Sequence, residues 1–231
     1  MLDSKNVTVR LCLSVTGKTP EDCIEVLSSN EVDLFEHRMD FMTRIQRIDE
    51  IYDATSRPII ATCRPTRFGG LFDGNEGDKM SHLLEALSVG AQYIDLDLDT
   101  TKPVIDKLKQ AVRRSGSALI LSKHYWMNTP SSTSLKDTIK KMRRLEPDII
   151  KIVTMASNRN DCLRILQLYG ISTESGIPLI AFAMGHLGKF TRVSSLFLGA
   201  PFGYVSLNSE EKAAPGQITL SSMKSILEVL I

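Results

Sequence analysis

The stretch Asp148-Ile149-Ile150-Lys151-Ile152-Val153-Thr154 sets a lysine in the middle of a short apolar run. The run is rich in β-branched residues and follows Pro147, so it predicts a buried strand rather than a helix. Burying an ammonium is costly, so a lysine there must be paired or lose its proton. Desolvation favours a neutral amine, and a neutral amine attacks carbonyls. The segment therefore points to covalent imine chemistry. The competing reading is a strand-end lysine with a buried stem and a head in water. The segment alone leaves both open.

Outward from this run, seven further segments read as strands: Val7–Val15, Val32–Arg38, Pro58–Arg64, Gln92–Leu98, Ser117–Lys123, Pro178–Met184 and Phe202–Val205. A helical pattern follows every strand, over Pro20–Ser29, Arg44–Ala54, Asp78–Val89, Lys102–Arg114, Ser134–Leu145, Asn158–Tyr169, Lys189–Phe197 and Ser221–Ile231. Thr19-Pro20-Glu21 offers a helix cap, a first-turn proline and an acid. Ser134 is a second expected cap. This alternation predicts an α/β fold, a (β/α)8 TIM barrel, with a doubly wound open sheet as the competitor. No linker-like segment or internal repeat divides the chain, so residues 1–231 are expected to form a single domain.

Composition narrows the function class. Hydrophobic residues make up 42% of the 231, enough for a substantial core, and the net charge is +1. The densest basic stretch, Lys140-Lys141-Met142-Arg143-Arg144, falls on a helix as a solvated face, so nucleic acid is not an expected partner. Cys12, Cys23, Cys63 and Cys162 show no CxxC or zinc spacing and are expected to be reduced thiols of a cytoplasmic protein. The polar start, Met1 to Asn6, lacks the apolar core of a signal peptide. No apolar run approaches a membrane span.

Active sites of barrels collect at the C-terminal ends of the strands. Glu36, Arg38, Arg64, His124, Lys151 and Met184 all fall at or near such ends. Alternation puts Val32, Leu34, Glu36 and Arg38 on one face, and groups Ile120 and Ser122 with His124. Lys151 and His124 then pair an amine for covalent capture with an imidazole for proton transfer. Taken alone, a histidine such as His124 is more often a strand-end residue with a structural hydrogen bond. His37 alternates away, His82 lies on a helix, His186 lies in a loop, and Cys63 reads as core. The loop Met184-Gly185-His186-Leu187-Gly188-Lys189-Phe190-Thr191-Arg192 could present N–H groups and an arginine to an anion, or its glycines could be only geometric. Ala213-Ala214-Pro215-Gly216-Gln217 precedes the last helix.

Together these segments resemble type I 3-dehydroquinate dehydratase over nearly the whole chain. The carriers are Glu36-His37-Arg38-Met39-Asp40, Thr62-Cys63-Arg64-Pro65, Ser122-Lys123-His124, Asp148 through Ile152, Met184 through Arg192, and Ala214-Pro215-Gly216-Gln217. The resemblance implies the shikimate-pathway conversion of 3-dehydroquinate to 3-dehydroshikimate, with Lys151 forming an imine and His124 carrying protons. It implies Arg192 as the carboxylate clamp, Glu36, Arg38, Arg64 and Gln217 as ligands for substrate oxygens, and Met184 against the ring. It implies no metal or organic cofactor, and a chain that is a homodimer or a domain fused to shikimate dehydrogenase. Two residues depart from the pattern. Phe68 stands where the family usually has a glutamate that supports the histidine, and Ala213 stands where a serine is common. A class I aldolase and a degenerate, non-catalytic metabolite-binding barrel are the competing readings. The polar segment Ser206–Gly216 reads as a lid or as a mobile surface loop.

Overall fold

In the computed structural model, residues 9–172, 176–210 and 213–231 are described. Eight parallel strands alternate with helices: β1 Leu11–Val15, β2 Leu34–Arg38, β3 Ile59–Thr62, β4 Tyr93–Asp97, β5 Ala118–His124, β6 Ile149–Met155, β7 Leu179–Met184 and β8 Gly203–Ser206. The helices are α1 Pro20–Ser29, α2 Ile48–Asp53, α3 Glu76–Ser88, α4 Lys102–Ser115, α5 Ser132–Arg143, α6 Arg159–Leu166, α7 Leu168–Ser172, α8 Lys189–Phe197 and α9 Leu220–Leu230. The sheet order is β7-β6-β5-β4-β3-β2-β1-β8, so the eighth strand returns to pair with the first, as a (β/α)8 barrel requires. A two-residue strand, β9 Ile218–Thr219, pairs with β8 and was not legible in the sequence. It occupies the free edge of β8, and among the described residues no ladder joins β7 to β8. Aromatic packing bridges that seam, with Phe182 and Tyr204 ring centroids 6.4 Å apart.

Strand alternation divides the core in two. One parity faces the helices: Leu13, Phe35, Ala61, Leu96, Ile152 and Ala181 are fully buried there. The other parity fills the barrel in layers. Its floor is apolar, with Cys12, Leu34, Ile60, Ile120, Ile180 and Phe202 all at most 1% exposed. Each fully buried aliphatic side chain contributes roughly 1.5–3 kcal/mol, which fixes the register of the strand that carries it. One step towards the C-terminal ends, the interior turns polar, with Ser14, Glu36, Thr62, Asp95, Ser122 and Lys151 all buried. The apolar floor thus pins the strands that hold a polar layer above it.

Local signals explain most helix starts. Thr19 caps α1, accepting from Asp22 N, while Asp22 Oδ2 accepts from Thr19 N at 3.0 Å. The expected cap at Ser134 is corrected: Ser131 caps α5, and Ser134 supplies the N–H it accepts, at 3.2 Å. The helix expected over Arg44–Ala54 is only α2, because Arg47 adopts φ 54°, a left-handed conformation that a helix cannot include. The helix expected from Asp78 starts two residues earlier, because Asn75 caps it by accepting from Gly77 N and Asp78 N. The helix expected over Asn158–Tyr169 is divided into α6 and α7 at Gln167. Of the strand expected from Val7, residues 7 and 8 lie outside the described residues, and the ladder begins at Leu11.

Candidate active site

Glu36, Arg38, Arg64, His124, Lys151, Met184, Arg192 and Gln217 all line one cavity at the C-terminal mouth of the barrel. Glu36, Arg38, His124, Lys151 and Met184 come from the strands and Arg64 from the loop just after β3; Arg192 comes from α8 and Gln217 from the turn before β9. Lys151 Nζ sits at the centre. It donates to Asp95 Oδ2 at 2.8 Å and lies 3.6 Å from Glu36 Oε1. The same nitrogen stands 3.9 Å over the Tyr204 ring, whose face suits a cation. The lysine is 4% exposed, so its head does not reach water past the barrel wall. Of the two readings of its segment, the buried and paired lysine is the observed one.

Asp95 is the anchor of this centre. Its Oδ1 accepts from Arg64 at 2.8 Å and from Ser122 Oγ at 2.6 Å, and its Oδ2 accepts from Lys151. Burial pushes its carboxyl up, but Arg64 and Lys151 outweigh burial and hold it well below the usual carboxylate range. Asp95 is therefore a fixed anion and not a proton store. Glu36 is held by two hydroxyls, Ser14 Oγ at 2.8 Å and Thr62 Oγ1 at 3.1 Å. Arg64 is engaged on both amino groups, by Asp95, by Asp97 and by Ser122 Oγ at 3.0 Å. Arg38 is clamped bidentately by Asp40, at 2.9 and 2.7 Å. Both arginines line the cavity with their strongest bonds already made.

His124 ends β5, one strand from Lys151, with Ser122 in register with Lys151. Its Nδ1 is buried and has no hydrogen-bond partner among the described residues. Burial first, then the positive Arg64 and Lys151, push the imidazole well below its ordinary range; Asp95 opposes them in part. The ring is neutral near pH 7 and able to accept a proton. Phe68 lines the same cavity, flanked by Arg67 and by Lys123, whose Nζ lies 5.8 Å from the ring centre. Its turn packs on Trp126: a Cβ added at Gly69, where φ is +71°, would overlap the indole at 1.8 Å. Neither Glu36 nor Asp97 bonds the orphaned imidazole nitrogen.

Arg192 differs from the other two arginines. It is 3% exposed and pairs with no carboxylate among the described residues. Among the described residues its guanidinium makes one hydrogen bond, a long one to Pro215 O at 3.3 Å, and its Nε is unpartnered. Its guanidinium carbon lies over Phe182, 4.2 Å from the ring centre. Burial pushes its guanidinium down to about 9, against the pull of Glu36, and leaves it charged at neutral pH. Met184 is fully buried beside it. Gln217 Nε2 donates to Ser14 Oγ at 3.1 Å, and its Oε1 accepts from Ala213 N at 2.9 Å, which ties the last loop to the polar layer. That loop passes hard against the turn after β7. A Cβ at Gly216 would lie 2.4 Å from Gly185 O, so only glycine fits. Within the segment read as a lid or a surface loop, Glu211 and Lys212 lie outside the described residues.

Sequence reasoning gave no substrate or catalytic role to Asp95 and missed Ser14, Trp126, Phe182 and Tyr204. All but Asp95 line the cavity. Asp95 and Asp97 were the detectable signal, since two acids alternating with Ile94 and Leu96 in a strand imply buried charge. The aromatics carried none, because an interior aromatic reads as core.

Comparisons with known proteins bear on this geometry. A family model described as Type I 3-dehydroquinase matches residues 11–231. A 3-dehydroquinate dehydratase of Desulfotalea psychrophila is 34% identical over 218 residues, covering 94% of this chain and 96% of its own. The crystal structure of 3-dehydroquinate dehydratase from Geobacillus kaustophilus superposes with a TM-score of 0.88 at 26% identity, covering 96% of this chain and 91% of that one. The dehydroquinate dehydratase and shikimate dehydrogenase of S. pombe superposes with a TM-score of 0.82 at 26% identity, covering 98% of this chain and 45% of that one.

Proposed function

The chain belongs to the type I 3-dehydroquinase family, and from that membership we propose that it dehydrates 3-dehydroquinate to 3-dehydroshikimate through an imine on Lys151. The observation that carries the reading is the company Lys151 keeps: a buried amine shares one cavity with a neutral imidazole and a buried guanidinium that, among the described residues, has no carboxylate partner. A ketone-bearing carboxylate fits that set. Arg192 takes the carboxylate in a charge-assisted, bidentate contact. The polar layer of Glu36, Ser14 and Gln217 meets the ring hydroxyls, and Arg38 and Arg64 add positive potential from their fixed positions.

The steps follow from the same contacts. The amine adds to the C3 carbonyl and water leaves, forming the iminium. Asp95 stays ionised throughout and steadies the positive nitrogen before and after capture. His124 starts neutral and takes the C2 proton, whose electrons move into the iminium as an enamine. The enamine expels the C1 hydroxyl, which leaves as water with the proton from His124. A second water hydrolyses the imine, releases the product and restores the lysine. Borohydride with 3-dehydroquinate is expected to trap the imine as a stable adduct, whereas phosphorylated aldol substrates are expected to leave the protein unlabelled. The reverse pattern would replace this reading by the aldolase one.

Phe68 gives this mechanism its own test. A carboxylate beside His124 would stabilise imidazolium, so the neutral base would be lost at higher pH. Phe68→Glu is therefore expected to move the acid limb of kcat/KM upward, and to raise the plateau if imidazole orientation limits the native enzyme. An unmoved profile in the folded variant would show that residue 68 does not face His124. No described helix is long and apolar enough to cross a membrane. The reading places a single catalytic domain in the cytoplasm, either as a homodimer or beside a shikimate dehydrogenase.

A further inference from the structure

Five charges lie in one buried line across the barrel mouth. Lys79 Nζ donates to Asp97 Oδ2 at 2.5 Å, Arg64 bridges Asp97 Oδ1 and Asp95 Oδ1, and Lys151 holds Asp95 Oδ2. Each of the five side chains is at most 5% exposed. Each carboxylate is shared by two cations, and the central cation is shared by two carboxylates. Lys79 is the outlier. It comes from α3, outside the strands, and it lines a different cavity, with Pro65, Arg67 and Asn75. A helix lysine ordinarily carries its head to water along its stem. This one is buried and spent on an aspartate that does not line the candidate active-site cavity, and burying a pair of that kind brings little net stability.

We infer that Lys79 is a positioning residue for imine formation: by holding Asp97 it keeps Arg64 turned onto Asp95, and so limits how tightly Asp95 grips the Lys151 ammonium. The electrostatics run one way. Without Lys79, Asp97 has a bare oxygen and draws the Arg64 guanidinium towards itself. Asp95 then loses a cation and concentrates on Lys151. Removing a positive charge from the line acts in the same sense. Both effects hold the proton on the amine, and only the free amine captures a ketone. The other groups facing Lys151 stay in place: Cys12 from β1, Glu36 from β2, His124 from β5 and Tyr204 from β8. Above Ile180, β7 presents only Phe182 and Met184 to the interior.

The inference rests on Lys151 being the imine-forming amine, and the experiment separates the two. Borohydride trapping by 3-dehydroquinate is measured against pH in the parent, Lys79→Met, Lys79→Arg and the double variant Lys79→Met/Asp97→Asn. Lys79→Met is expected to move the acid limb of trapping up by about half a pH unit or more. Lys79→Arg is expected to restore the parent limb. The double variant removes both charges, leaves Arg64 wholly to Asp95, and is expected to move the limb below the parent's. It also keeps the test alive if the single variant does not fold, because it leaves no bare buried carboxylate. A parent that does not trap at all would fail the imine reading itself. A trapping parent whose limb is matched by Lys79→Met, or by the double variant, would overturn the role of Lys79.

Discussion

Lys151→Ala is expected to lose borohydride trapping entirely and to lower turnover of 3-dehydroquinate by ~10³-fold or more, about 4 kcal/mol of barrier. The size of the effect follows from the placement of the amine. Lys151 Nζ is within 4 Å of Asp95, Glu36 and the Tyr204 ring, and every one of these contacts steadies positive charge on that nitrogen. Lys123, on the same strand as His124, points to Asp99 at 2.5 Å and is partly exposed, and Lys79 is held by Asp97, so neither can substitute. In the native protein the adduct mass should reside on the peptide that carries Lys151. The fold should survive, because Asp95 keeps Arg64 and Ser122 after the lysine is gone. A circular dichroism spectrum and a cooperative thermal transition establish that. An adduct on any other lysine would move the covalent step elsewhere.

Arg192 carries the second large effect, and it has two signs. Hydrogen bonds to charged groups contribute roughly 1.5–3 kcal/mol, so Arg192→Ala should weaken substrate binding by roughly ten- to a hundred-fold. Arg192→Lys should recover only part, because an ammonium lacks the planar fork. The free protein should respond in the opposite direction. A buried guanidinium with an unpartnered Nε and, among the described residues, no carboxylate partner is a cost to the free protein. Arg192→Met, which keeps apolar volume over Phe182, should therefore raise Tm without ligand while losing affinity. Binding can be read directly, since Trp126 is the only tryptophan of the chain and lines the cavity. Unchanged affinity in both the alanine and lysine variants would remove Arg192 from the substrate contact.

These expectations trace the difference between what the linear chain specifies and what folding adds. All eight strands and most helix positions were legible because they depend on periodicity and on local turn chemistry. The run around Lys151 has the composition of a strand wherever it is placed, and Thr19 can cap α1 with residues three positions away. The candidate site was legible for a related reason. A polar residue that interrupts the apolar period of a strand's inward face, or follows it, sits in the polar layer or mouth of the barrel, so Glu36, Arg38, Arg64, His124 and Lys151 announced themselves. The sequence could not show how those charges divide among partners. Arg38, Arg64 and Arg192 look alike in the chain, yet Asp40 clamps the first, Asp95 and Asp97 share the second, and the third has no carboxylate partner among the described residues. Nor could it show that Lys79 reaches Asp97 from another element, or that β9 takes the edge of β8. Periodicity and capping are local, so they survive in a single chain. Ion-pair partners, the burial that sets a proton's affinity and the identity of a strand's neighbour are properties of distance in three dimensions, and only the folded barrel sets those distances.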